Sequence, residues 1–264
     1  MAPLSSPALR ACALALALLG AIAPACASEL SVAQVVQLLA LASAHQPANF
    51  DDKDLSDLDL SRLDFRHASL RGANLFASRL VASNFSGTDL RAANLNGAWL
   101  MGTDFTNARL AGASLLSVVI LGGAVKAMPI FKGADLHGAK MIADLPGADL
   151  AGADLGEARI GVDIRNQGMG QMRTDLTGAH LAGANLAGAD LNRSLLSFAD
   201  LRHTNLRGAN LFRVKLVGAD LTGADVTGAD FTEADLSDAV LLDVTGLSQA
   251  TGLVRADNLD KPAH

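Results

Sequence analysis

A large apolar residue recurs at every fifth position of this chain, and that spacing limits its fold more than any other feature. The series Leu55, Leu60, Phe65, Leu70, Leu75 continues without a miss to Ile120. A second unbroken run extends from Leu176 to Leu241, and Leu136, Met141, Leu145, Leu150, Leu155 and Ile160 lie between the two. A period of five fits neither the 3.6 of a helix nor the two of an extended strand. It fits a short strand followed by a corner. Of the 34 units, 29 carry Ala, Ser or Thr two positions before the centre, and 22 carry Asp or Asn between the two. Residues two apart on a strand share a face. The small residue and the apolar centre therefore point inward, and the Asp or Asn points outward. The two remaining residues turn the corner, where Gly accepts a positive φ at no steric cost.

The phenylalanines give the number of sides. Phe65, Phe85 and Phe105 are twenty residues apart, so four units per coil would stack their rings in a core ladder. Counting Val125 and Ile130 as further centres extends the first run to four coils, and the whole chain then holds about nine. At roughly 4.8 Å per coil the rod is ~43 Å long. Each buried centre contributes about 1.5–3 kcal/mol before chain entropy is subtracted, and stability is a sum of coil and neighbour terms. An aromatic content of 4%, with no Tyr and one Trp, suits a narrow bore filled by Leu and Ala.

In these units, as in Gly218-Ala219-Asp220-Leu221-Thr222, the sequence resembles the pentapeptide-repeat family, whose pattern is A(D/N)LXX. The match covers about residues 53–243. The resemblance implies an all-β fold, a right-handed quadrilateral β-helix. The expected organisation is a solenoid over 51–243 with irregular loops near 121–132 and 161–173, an N-terminal capping helix and linker over 28–50, and a C-terminal cap or tail over 244–264.

Residues 1–27 read as a secretory signal peptide. Arg10 precedes an apolar stretch from Ala11 to Ala23, and Ala25-Cys26-Ala27 has the small-x-small form of a cleavage site. Cleavage between Ala27 and Ser28 leaves a mature chain without cysteine, and hence without disulfides or a thiol nucleophile. The address is export, to the bacterial periplasm or beyond. The alternative keeps Cys26 as a lipid-modified first residue and makes the chain an envelope lipoprotein; Pro24 and Ala23 depart from the usual lipoprotein pattern.

An open solenoid end invites edge-to-edge association unless it is covered. Residues 31–44 predict a helix for the N-terminal end, with a Ser31–Gln34 capping box and an apolar face of Val32, Val35, Val36 and Leu39. At the other end, Leu247 and Leu253 predict a cap; alternatively Leu242 and Leu247 pair two molecules into a homodimer.

Chemistry is sparse. The six histidines have no metal or triad spacing, and His180 sits in an outward Asp/Asn slot. The outward Asp and Asn residues read as turn and solubility chemistry. Met128, Met141, Met169 and Met172 read as loop and core filler. No catalytic, cofactor or metal site is expected, and the chain is not read as an enzyme. A net charge of −6 argues against nucleic acid as a partner. Arg193, Arg202, Arg207, Arg213 and Lys215 form a candidate patch for an anionic partner, while Val217 to Val254 contains no Lys or Arg and seven acidic residues. The sequence thus predicts an exported structural or protein-interaction scaffold whose partner it does not identify. The alternative is a DNA-mimicking protein that binds type II topoisomerases, which the resemblance supplies and export opposes.

Overall fold

The computed structural model describes residues 30–120, 127–162 and 173–253. Over these the five-residue units wind into a right-handed quadrilateral β-helix with four parallel walls. Named by their outward residues, wall A begins Asp54, Asn74, Asn94, wall B begins Asp59, Arg79, Trp99, wall C begins Asp64, Asn84, Asp104, and wall D begins Asn49, Ser69, Asp89. All rungs between coils are parallel. Most are single bridges; the longer pairings join β1 (Ala48–Asn49) to β2 (Ala68–Ser69) and β3 (Ser114–Leu116) to β4 (Lys140–Ile142). Among the described residues wall D climbs in nine steps from Asn49 to Thr245, and wall A reaches Thr251. The solenoid therefore begins before residue 51 and ends after 243, because the ladder needs only backbone and tolerates units that depart from the side-chain pattern.

Each unit folds as its sequence directs. At one corner Ser78 N–H donates to Leu75 C=O at 3.2 Å, with Ala77 at φ 55°. One coil on, Gly97 takes that position at φ 68°. The outward Asp or Asn accepts the N–H two residues later, as in Ser56 to Asp54 Oδ1 at 3.1 Å and Thr222 to Asp220 Oδ1 at 2.9 Å. This Asx turn satisfies an amide that points away from the ladder. Asparagines also bond one another up the wall, Asn94 Nδ2 to Asn74 Oδ1 at 3.0 Å and Asn74 Nδ2 to Asp54 Oδ1 at 2.9 Å.

The bore is filled. The centres from Leu55 to Leu115 and from Leu176 to Phe231 are buried. Phe65, Phe85 and Phe105 stack at centroid distances of 4.4 and 5.4 Å, as their twenty-residue spacing predicts. Phe131 adds a fourth ring at 5.1 Å from Phe105, and Phe50 packs edge-on against Phe65 at 6.1 Å. Where rings crowd the bore, hydroxyls replace the inner alanine and donate to backbone, as from Ser83 to Leu60 C=O at 2.7 Å and from Thr103 to Leu80 C=O at 2.8 Å.

Phe131 corrects the expected register. Ile130 is not a centre: it faces outward on wall C, 39% exposed, and Phe131 is fully buried. The first irregular loop therefore ends before residue 130. Val125 and the remainder of that loop, 121–126, lie outside the described residues. At the second interruption Val162 is still buried and the coil resumes at Thr174, whose hydroxyl reaches Ile160 C=O at 2.6 Å and Met141 C=O at 3.1 Å. Residues 163–172, with Met169 and Met172, and 254–264 are likewise outside the description.

The N-terminal end is covered by α1 (Val32–Leu41), with the expected capping box: Gln34 Oε1 accepts the Ser31 N–H at 2.8 Å and Ser31 Oγ accepts the Gln34 N–H at 3.4 Å. Val35 is fully buried and Leu39 packs on the core, but Val36 faces out at 44% exposure. A single turn of helix meets a bore this narrow, so the apolar contact is narrower than the sequence implies. At the other end Leu242 is 61% exposed, while Leu247 and Leu253 rest partly on the core. Among the described residues no helix is long and apolar enough to cross a membrane.

Truncating a stacked ring removes contacts on both sides of the coil. Phe85→Ala is expected to lower stability by about 3–5 kcal/mol in urea unfolding, whereas Phe198→Ala, at a corner where the ring is 68% exposed, is expected to cost less than about 1 kcal/mol.

Candidate functional site

Four walls offer four surfaces, and wall B differs from the rest. Its outward row is Asp59, Arg79, Trp99, Val119, Asp144, Asp175, Leu195, Lys215 and Asp235. Walls A and D carry mostly Asp, Asn, Ser and basic residues and no large apolar side chain, and wall C carries only Ile130 and Val240. The corners beside wall B add Phe76, 48% exposed, and Phe198. The Phe198 ring lies across the corner of the next coil, where a Cβ on Gly218 would come within 2.7 Å of it. Gly218, at φ 65°, thus serves both the turn and the seat of the ring. The Arg79 guanidinium stacks on the Trp99 ring at 4.9 Å and pairs with Asp59 at 3.6 Å.

The basic residues that sequence spacing groups together do not form one patch. Residues five apart fall on successive corners of the square. Arg193 and Arg213 share the corner between walls A and B, with Lys215 beside them on wall B, whereas Arg202 and Arg207 project from two other corners. Most of these cations are also paired to acids of a following coil. Arg213 meets Glu233 at 2.6 Å, Lys215 meets Asp235 at 2.9 Å, Arg207 meets Asp225 at 2.9 Å, and Arg202 lies between Asp200 at 2.7 Å and Asp220 at 3.9 Å. The acidic C-terminal stretch and the basic stretch before it are the two halves of these ladders. Exposed pairs of this kind contribute little to stability, but they reduce the display of either charge to a partner.

The carboxylates respond to these contacts. The Thr227 hydroxyl, then its N–H, then Arg207 hold Asp225 down to about 2. Hydrogen bonds from Arg91 chiefly lower Asp89, which is nearly buried on wall D between Arg91 at 2.6 Å and Arg109 at 3.1 Å. These are turn and wall contacts rather than a catalytic arrangement. His180 stands exposed on wall C between Asp149 and Asp200. Among the described residues no group of three or more His, Cys, Asp or Glu is placed to hold a metal ion. The expected cleavage site at Ala25, Ala27 and Ser28, and Cys26, lie outside the described residues.

A family model for pentapeptide repeats matches the chain in eight copies over residues 48–75, 68–107, 83–115, 174–211 and 215–244. The chain belongs to the pentapeptide-repeat family. Among solved structures this family member is similar to HetL, a pentapeptide repeat protein involved in heterocyst differentiation regulation from the cyanobacterium Nostoc, at 29% identity over 84% of this chain and 96% of that one, with a TM-score of 0.47. It is also similar to a pentapeptide repeat protein of the Arabidopsis thaliana thylakoid lumen, at 25% identity over 47% of this chain and 70% of that one, with a TM-score of 0.27. A trypsin-treated form of QnrB1, a plasmid-mediated fluoroquinolone resistance protein, matches at 20% identity over 67% of this chain and 88% of that one, TM-score 0.28. No curated protein matches the chain.

The residues of wall B were within reach of sequence reasoning. Apolar residues in the outward slot, Trp99, Val119 and Leu195, stand where the repeat calls for Asp or Asn. The signal is which wall they share, and that emerges only once the coil lengths are known.

A carboxylate held low in the folded state adds stability above its unfolded value of about 3.9 and loses it as pH falls toward the folded value. For Asp225 the window therefore runs from about 4 down to about 2. NMR titration should place the Asp225 carboxyl well below the ordinary aspartate value, and Thr227→Val should move it upward. A normal midpoint in the native chain would refute the turn as its cause.

Proposed function

We propose that this pentapeptide-repeat protein is a non-enzymatic scaffold that works outside the cytoplasm and presents wall B to a protein partner. One observation carries the reading: wall B and its corners hold half-buried Trp99, Val119 and Leu195 and exposed Phe76 and Phe198, more large apolar side chains than wall C with Ile130 and Val240, while walls A and D stay polar. Large apolar side chains concentrated on one face of a protein surface mark an interaction site, and Trp is among the residues that anchor such contacts. The filled bore supports the non-enzymatic part, since a catalytic site needs convergent groups around a space for substrate. Export rests on the sequence of residues 1–27. Pairing of the acidic C-terminal coil with the cations before it leaves the DNA-mimic alternative without a specific support in the geometry.

The experiment places a photo-crosslinking amino acid at Trp99 or Leu195 on wall B, and at Asn74 or Asn205 on walls A and D, in cells carrying the complete sequence. The expected result is one discrete adduct from both wall B positions and none from walls A and D, in the envelope or periplasmic fraction. Adducts from all walls alike, or from none, would refute the docking face. A full-length chain retained in the cytosol would refute the compartment while leaving the face intact.

A further inference from the structure

Every successive pair of outward residues on walls A, C and D is joined by a backbone bridge among the described residues. On wall B the same holds from Asp59 to Val119 and again from Asp144 to Asp235, but no bridge joins Val119 to Asp144. The cause is local. Where the regular corners keep five residues between centres, Met141 and Leu145 are four apart. Here β3 and β4 run on past the usual corner, with Ile142 paired to Leu116 and Ser117 N–H donating to Ile142 C=O at 2.9 Å. Asp144 thus arrives one residue early for wall B. The coil that contains it also departs from twenty residues in both directions: steps into it span 26 residues, as from Asp104 to Ile130, and steps out of it on walls A, C and D span 19 on reaching Arg159, Asp149 and Asp154. Among the described residues no hydrogen bond reaches Val118, Ile120 or the Asp144 N–H from another coil. The same step is paired on wall C through Phe105 N–H and Ile130 C=O at 2.8 Å, and on wall D through Leu110 N–H and Asp135 C=O at 2.6 Å.

We propose that this step is a one-sided seam, held on walls A, C and D and open on B, at which the rod flexes and the coils before and after it open as separate units. In a stacked repeat each coil is stabilised by its neighbours alone. A step that lacks one of its four ladders is therefore the weakest coupling in the rod, and its opening takes less free energy than that of any complete step. The remaining bonds act as the hinge line, and flexing is directed toward wall B because only that side is free to change its spacing. Trp99 and Val119 stand on one lip of the seam and Asp144 on the other. Bending there changes the shape of wall B without breaking the filled bore elsewhere. The inference depends on the missing ladder and not on any partner.

Native-state hydrogen exchange of the intact chain tests it. The informative amides are those that cross the seam on its paired walls, Phe105 and Leu110. They are compared with Phe85 and Leu90, which cross the preceding step on the same two walls to Asp104 and Arg109. The seam predicts exchange at least about tenfold faster for Phe105 and Leu110, the effect of a difference near 1.4 kcal/mol in opening free energy. A smaller difference, or none, would overturn the proposal, because the step would then be as tightly coupled as a complete one.

Discussion

The parallel backbone ladder between successive coils governs the rest of this structure. It fixes the coil spacing and sets each centre over its counterpart one coil below. Stacked phenylalanines, asparagine chains on the walls and cross-coil ion pairs all follow from that alignment. Because backbone makes the ladder, the chain can change coil length and keep its walls, provided that the added residues leave at a corner. The steps of 26, 19 and 31 residues in the middle of the rod show this tolerance. The missing rung on wall B shows its limit, since a residue removed at one corner leaves two walls competing for one register.

Charge and polarity obey the same alignment. A basic residue and an acid about twenty positions later meet across the ladder, so an apparent excess of one sign along the sequence becomes neutral pairs in space. Arg213 with Glu233 and Lys215 with Asp235 are the clearest cases. The outward aspartates are engaged chiefly with their own turns, which lowers the affinity of several for protons. What remains distinctive on the surface is the apolar content of wall B.

Much of the fold is legible in the sequence because its rule is short. The small-polar-apolar unit gives strand and corner, the spacing of Phe65, Phe85 and Phe105 gives four sides, and Ser31 with Gln34 gives the start of the helix. The register of Phe131 was not legible, since Ile130 fits the five-residue count equally well and only the ladder from Asp104 to Ile130 shows which side chain faces in. The candidate patch at Arg193, Arg202, Arg207, Arg213 and Lys215 failed for a related reason: nearness in sequence places residues on successive corners, whereas a wall collects residues a whole coil apart. Wall B could be assembled only after the irregular coils had been placed, because it includes Val119 before them and Leu195 after them.

The winding of the rod is defined by which residues lie one coil apart, and the irregular coils distinguish one winding from another better than the regular ones. A cysteine pair at Arg159 and Asp190, which are 31 residues apart and bridged on wall A, tests that assignment directly once Cys12 and Cys26, the two native cysteines, are replaced by serine. Neighbouring positions on such a ladder lie within the ~4.4–6.8 Å Cα separation that a disulfide spans. Rapid oxidation to an intramolecular disulfide is predicted for this pair, and none for a pair at Arg159 and Asn185, which lie on adjacent walls. Failure of the first pair to close, or ready closure of the second, would contradict the winding proposed for the whole rod.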